Sequence, residues 1–189
     1  MGKEPRSVFK GDVSKARLEF LFDGVFAIAM TILVLELKLP ELQDRRSVHE
    51  LGTALLHHGR TFFSYIISFI VLSSFWISHN RIYTHVKMIS KTVLVIHVWL
   101  LAAAAFIPFC AHLMGRYPSN PLAILVYVGT VYSYVLGMLA LVITAERQKL
   151  FDPAILPEDV KKLRRGFIRP LIGMFFIVIY VLFILPVLK

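Results

Sequence analysis

Arg17-Leu18-Glu19-Phe20-Leu21-Phe22-Asp23-Gly24-Val25-Phe26-Ala27-Ile28-Ala29-Met30-Thr31-Ile32-Leu33-Val34-Leu35-Glu36 is the stretch on which the reading of this chain turns. Between Val25 and Leu35 only Thr31 interrupts the apolar run, while Glu19, Asp23, Glu36 and Lys38 place charge toward its ends. A membrane-spanning helix needs about 20 mostly apolar residues, and Leu18 to Leu39 supplies them. This segment is read as a first membrane helix. A removable signal peptide fits poorly, because the apolar run continues past the small residues Ala27 and Ala29 and Asp23 breaks the stretch before them. The opening MGKEPR does not match the myristoylation pattern either, since Arg6 stands where Ser or Thr is required.

Four more segments follow. Thr61 to Ser78, Tyr117 to Ala145 and Pro170 to Leu188 contain no Asp, Glu, Lys, Arg or His, and Val93 to Ala111 contains only His97. The expected fold is an all-α integral membrane protein with five spans. Composition agrees: of 189 residues, 57% are hydrophobic and 17% charged, and the mean hydropathy is +0.70. Soluble domains are nearer 45–50% apolar and about 25% charged. The excess cannot be buried in one soluble core of this size. That excludes a secreted disulfide scaffold, a disordered regulator and an ordinary cytosolic enzyme. The single cysteine, Cys110, cannot form an intrachain bridge and says nothing of redox compartment. The domain reading is a basic N-terminal tail, residues 1–16, followed by one transmembrane domain, 17–189.

The net charge is +9, which on a soluble chain would raise nucleic acid as a partner. Here it is read as a topology signal. With the N-terminus inside, 15 of the 21 Lys and Arg fall on inner segments, as the positive-inside rule expects. The tail is then cytoplasmic, no nucleic-acid partner is expected, and a five-span chain ends outside. Glu41 to Gly59 is polar enough to hold a short amphipathic surface helix. Asp152 to Arg165 reads as a charged connection punctuated by Pro153 and Pro157, and Pro118 and Pro121 mark a turn. No repeat, low-complexity tract or internal duplication is visible.

Polar residues inside spans are functional candidates. Asp23 lies roughly 20 Å from Glu36 along a helix and needs a positive or hydrogen-bonding partner if buried. Arg17 or a histidine such as His79, on the same side of the membrane, would make it a structural anchor; the alternative is a direct role with ions or protons. Ile28, Ile32 and Leu35, with Thr31 between them, share one helical face. Such stripes commonly meet lipid or a packing neighbour, and Gly24 and Ala27 nearby permit close approach. Ser64/Ser68 and Ser74/Ser78 form i, i+4 pairs suited to helix packing. Trp76 suits an interfacial anchor. Pro108 removes a backbone donor and should kink its helix. His97 suits a hydrogen-bonded helix–helix contact, or a relay with Asp23 and His79. No G-x-S-x-G, H-E-x-x-H, phosphate loop or zinc spacing occurs, and the adjacent His57-His58 cannot share a helix face. No catalytic residue, metal or cofactor is expected. A TVGYG carbonyl filter is also missing from the sequence.

The first helix resembles the signature of the transmembrane protein 175 family, the potassium-permeable channels of lysosomes and their bacterial relatives. That signature is R-x-x-x-F-S-D, followed in bacterial members by G-V-F-A-I-A-x-T-x-L-V-L-E. Arg17 and Asp23 match its ends, and Gly24 to Glu36 follows the continuation closely. The Trp76/His79 pair, Pro108-Phe109 and the basic stretch after the fourth span are also similar to it. There are departures: Leu21 and Phe22 stand where the family has Phe and Ser, and His97 stands near where members often carry Asn. Family members have six spans per repeat, whereas five are read here. The resemblance implies a homotetramer in a bacterial inner membrane, with four first helices lining the pore. Ile28 would form the narrowest apolar ring, Ile32 and Leu35 further layers, and Thr31 a hydroxyl ring. Arg17, Asp23, Trp76 and His79 would form the network that holds the lining helix.

An apolar constriction can gate by dewetting. An ion crossing it must strain its water shell, at a cost that grows as the ion shrinks. Potassium is therefore favoured over sodium, moderately. The expected function is a potassium-permeable cation channel, with potassium, the lipid bilayer and further copies of the chain as its partners. The alternative is a secondary transporter or proton pathway using Asp23, His79 and His97.

Overall fold

A computed structural model describes residues 14–35, 37–38 and 41–184. Residues 1–13 of the basic tail, Glu36 and Lys189 lie outside the described residues. Six α-helices follow in order: α1 Lys15–Leu35, α2 Val48–His57, α3 Gly59–Tyr83, α4 Lys91–Arg116, α5 Pro121–Arg147 and α6 Pro157–Ile179. One π-helical turn, Tyr180–Ile184, extends α6. Among the described residues the only β feature is an isolated bridge between Val86 and Phe151.

Five of the helices, α1, α3, α4, α5 and α6, are long and apolar enough to cross a membrane. The chain is an integral, multi-pass membrane protein. The sixth helix, α2, is not a sixth span. Its 10 residues rise about 15 Å, half of a hydrocarbon core. Where the family resemblance implies six spans, the described residues hold five and one short helix with exposed Val48 and Leu56.

Local chemistry sets the helix ends. Ser47 caps α2 by accepting the N–H of Glu50 at 3.1 Å. The Glu50 carboxylate accepts the N–H groups of Gln43 (2.7 Å) and Asp44 (3.0 Å), folding the preceding loop onto the helix. Those two bonds hold its carboxyl below the usual range. Ser90 caps α4 through the N–H of Val93, and Asn120 caps α5 through that of Leu122. Pro121 and Pro157 each occupy the first turn of a helix. There the missing N–H costs nothing and the fixed φ is already helical. Asp152 to Arg165 is therefore not a connection throughout, because α6 begins at Pro157 and carries the basic residues on its first turns.

α4 lies at the centre of the bundle. It packs on α1, α3 and α5; α1 also meets α3, and α6 packs on α5. The close α4–α5 approach runs over Gly137, where an added Cβ would sit 2.8 Å from a Leu100 methyl carbon. Polar bonds stitch α3 to its neighbours: the Ser64 hydroxyl donates to the Ala111 carbonyl at 2.7 Å, and Ser68 meets the Tyr127 hydroxyl at 3.1 Å. Two connections are tied together. The Lys87 N–H donates to the Leu150 carbonyl and the Asp152 N–H to the His85 carbonyl, both at 2.9 Å. A Lys87–Asp152 ion pair at 3.0 Å lies beside them.

Candidate functional site

α1 has two unlike faces, and the spacing of its residues creates both. Leu18, Phe22, Phe26, Ala29 and Leu33 recur every three or four residues and are at most 3% exposed. They face the bundle. On the opposite side Ile28 is 60% exposed, Leu35 74% and Ile32 39%, and Thr31 is exposed between them. The stripe runs back through Gly24 and Leu21 to Arg17, all exposed. Steps of three and four along it give a seam on which helices can meet side by side.

Thr31 contributes more than its position. Its hydroxyl lies 2.9 Å from the carbonyls of both Ala27 and Ile28, to which it donates. With its proton turned back to its own helix, the oxygen presents lone pairs outward. It is the polar acceptor on an otherwise apolar stretch of the face.

The buried face is clamped by aromatic and polar contacts. Phe22 stacks on the His79 ring at 3.4 Å, Phe26 stacks on Phe22 at 4.7 Å, and Phe26 meets Tyr134 edge-on. The Trp76 Nε1–H donates to Asp23 Oδ1 at 2.8 Å. His79 and His97, both buried, face each other Nε2 to Nε2 at 2.9 Å. His97 Nδ1 lies 2.8 Å from the Val93 carbonyl. A carbonyl only accepts, so that nitrogen carries the proton. In the neutral ring Nε2 then accepts, and His79 donates.

The residues singled out from sequence are sorted by this geometry. Asp23 and Trp76 meet directly. His79 meets His97 and Phe22, and its ring nitrogen is not bonded to Asp23. Arg17 is exposed and has no carboxylate partner among the described residues. Ile28, Thr31, Ile32 and Leu35 share the open face. Tyr134 closes over Phe26 and Phe75, and nothing in its local sequence separates it from other aromatic residues. Among the described residues no group of three His, Cys, Asp or Glu is placed to hold a metal.

Comparison with known proteins gives this arrangement a context. The family model for the endosomal/lysosomal potassium channel TMEM175 matches residues 17–108. A potassium channel of Streptomyces collinus is 28% identical over 146 residues, 74% of this chain and 68% of that one. A potassium channel of Chamaesiphon minutus is 34% identical over 110 residues, 57% of this chain and 52% of that one. The mouse endosomal/lysosomal proton channel TMEM175 is 28% identical over 62% of this chain, which spans only 25% of the mouse protein. In three dimensions, the crystal structure of a lysosomal potassium-selective channel TMEM175 homologue from Chamaesiphon minutus superposes with a TM-score of 0.68. It shares 26% sequence identity and covers 92% of this chain and 94% of its own. The matched family is one of ion channels, not of enzymes. In sequence over residues 17–108 and in fold over nearly its whole length, this chain is similar to the TMEM175 channels.

Proposed function

We propose that copies of this chain assemble as a tetramer to form a passive, potassium-permeable cation channel, with α1 of each copy lining the path. The observation that carries this reading is the open α1 face. α1 is locked to the bundle by Phe22, Phe26 and the Trp76–Asp23 bond, while Ile28, Thr31, Ile32 and Leu35 are exposed among the described residues. Relatives named as potassium channels support the same reading. Around a shared axis, Ile28, Ile32 and Leu35 would give three apolar layers about 6 and 4.5 Å apart along the helix. Thr31 oxygens would supply acceptors between them. The apolar rings would set the barrier to a hydrated ion, and the larger, more weakly hydrated potassium would pass more readily than sodium. The basic connections support an inward N-terminus, and the bacterial relatives support a bacterial inner membrane.

Proteoliposomes test the reading. With equal pH on both sides, a potassium gradient alone should drive flux that does not saturate and moves no protons beyond charge balance. Flux that requires a proton gradient would favour the second reading, a proton pathway. That reading has its own support: the buried His79–His97 pair lies beside α1, and vertebrate relatives are named proton channels.

A further inference from the structure

The basic ends of α3 and α6 enclose a groove that no segment of the described chain fills. α3 packs on α1 and α4, whereas α6 packs on α5, and a cavity of about 610 Å³ is left between them. α3 lines it with Ile77, Ser78 and Arg81, and His85 joins them from the connection that follows; α6 lines it with Lys162, Leu163, Gly166 and Phe167. The two helices run antiparallel here, so the lining is graded. Arg81, His85 and Lys162 stand at the basic end. Ile77, Gly166 and Phe167 stand deeper, where both helices continue across the membrane. From Arg81 to Ile77 is about 6 Å of helix, so the basic rim stands one turn from the apolar lining.

Charge favours an anion at the rim. Arg81 has no carboxylate partner among the described residues, nor do Lys161, Arg165 and Arg169 that follow on α6. One acid, Asp159, lines the rim and sits 3.2 Å from Lys162. Both side chains of that pair are more than half exposed, so the pair is weak and the ammonium is free to turn.

We propose that this groove binds an anionic phospholipid, with Arg81 and Lys162 on its phosphate and an acyl chain along Ile77, Leu163 and Phe167. A groove opening sideways between two spanning helices meets acyl chains at its deep end. The guanidinium fork and the ammonium suit phosphate oxygens at its mouth. The site is separate from the α1 face and does not depend on which ion the protein conducts.

Native mass spectrometry of the purified full-length protein tests this, with phosphatidylglycerol, phosphatidylcholine and inorganic phosphate as separate probes. Phosphatidylglycerol should bind in preference to phosphatidylcholine, and inorganic phosphate should not compete. The double variant Arg81→Gln/Lys162→Gln should lose that binding at least about tenfold. The control Lys91→Gln/Arg147→Gln removes the same charge outside the groove and should change it little. Gly166→Leu keeps every charge. An added Cβ there meets nothing within 4 Å, so its side chain should fill the groove and exclude the lipid. Should Gly166→Leu not fold, the exposed charge variants still test the site. Equal loss in the control would reduce the effect to diffuse charge and overturn the site. Equal binding of phosphatidylcholine, or binding of inorganic phosphate alone, would overturn the lipid assignment. Loss of subunits on Gly166→Leu would show that another copy fills the groove, and would overturn it as well.

Discussion

Asp23 is held by an indole N–H, and no cation pairs with it among the described residues. The need for a partner is legible from a carboxylate on a membrane helix; the identity of the partner is not. Trp76 lies 53 positions away, and helical periodicity fixes which face a residue occupies, not how two helices are set against each other. Trp76→Phe keeps an aromatic ring and removes the donor. It should lower thermal stability in detergent by about 1 kcal/mol, with the fold intact by circular dichroism. The histidines show the same limit. His97 is recognisable as a helix–helix contact, but its pairing with His79 follows only from the α3–α4 register. His97→Leu would leave the buried His79 N–H without an acceptor and should cost about 1–3 kcal/mol. Thermal melting beside wild type measures it. Phe22 covers His79 face to face, a contact that its place on the apolar face of α1 does not announce.

At the level of helices, the apolar runs made five spans readable, and the errors fell at prolines. Pro157 reads in the sequence as punctuation, yet in the first turn of α6 it starts a helix. The end of α5 is set by backbone geometry that composition does not reveal. Lys149 has φ 54°, and the N–H groups of Lys149 and Leu150 return to the carbonyls of Glu146 and Ala145. This left-handed cap usually takes glycine. Lys149→Gly should therefore stabilise the protein by about 1 kcal/mol, seen as a raised melting temperature. One connection further on, the Asp152 carboxyl is held below its ordinary range, first by the Ala154 N–H and then by Lys87. A folded pKa below the unfolded one means that the stabilisation is complete above the ordinary carboxylate range. It is lost as pH falls through the lower folded value. Wild-type stability should decline on acidification below about pH 4, and Asp152→Asn should remove that component of the decline.

At the scale of the whole molecule, a single subunit leaves the least buried part of its first helix unexplained. A stripe of Ile28, Thr31, Ile32 and Leu35 could meet lipid, and from sequence periodicity alone it would be assigned there. What separates the two readings is assembly, which no helix records by itself. The proposed tetramer should appear as four subunits by native mass spectrometry, and cysteine placed at Leu35 should crosslink between copies. Among all these consequences, ion selectivity reports most directly on the α1 face. The measurement is the reversal potential under opposed potassium and sodium, wild type beside Ile28→Asn. Wild type should prefer potassium, and the variant should conduct about tenfold more, equivalent to about 1.4 kcal/mol off the barrier, while its reversal potential moves toward zero. An unchanged conductance and reversal potential in the variant would contradict the assignment of Ile28 to the constriction, and with it the pore along α1.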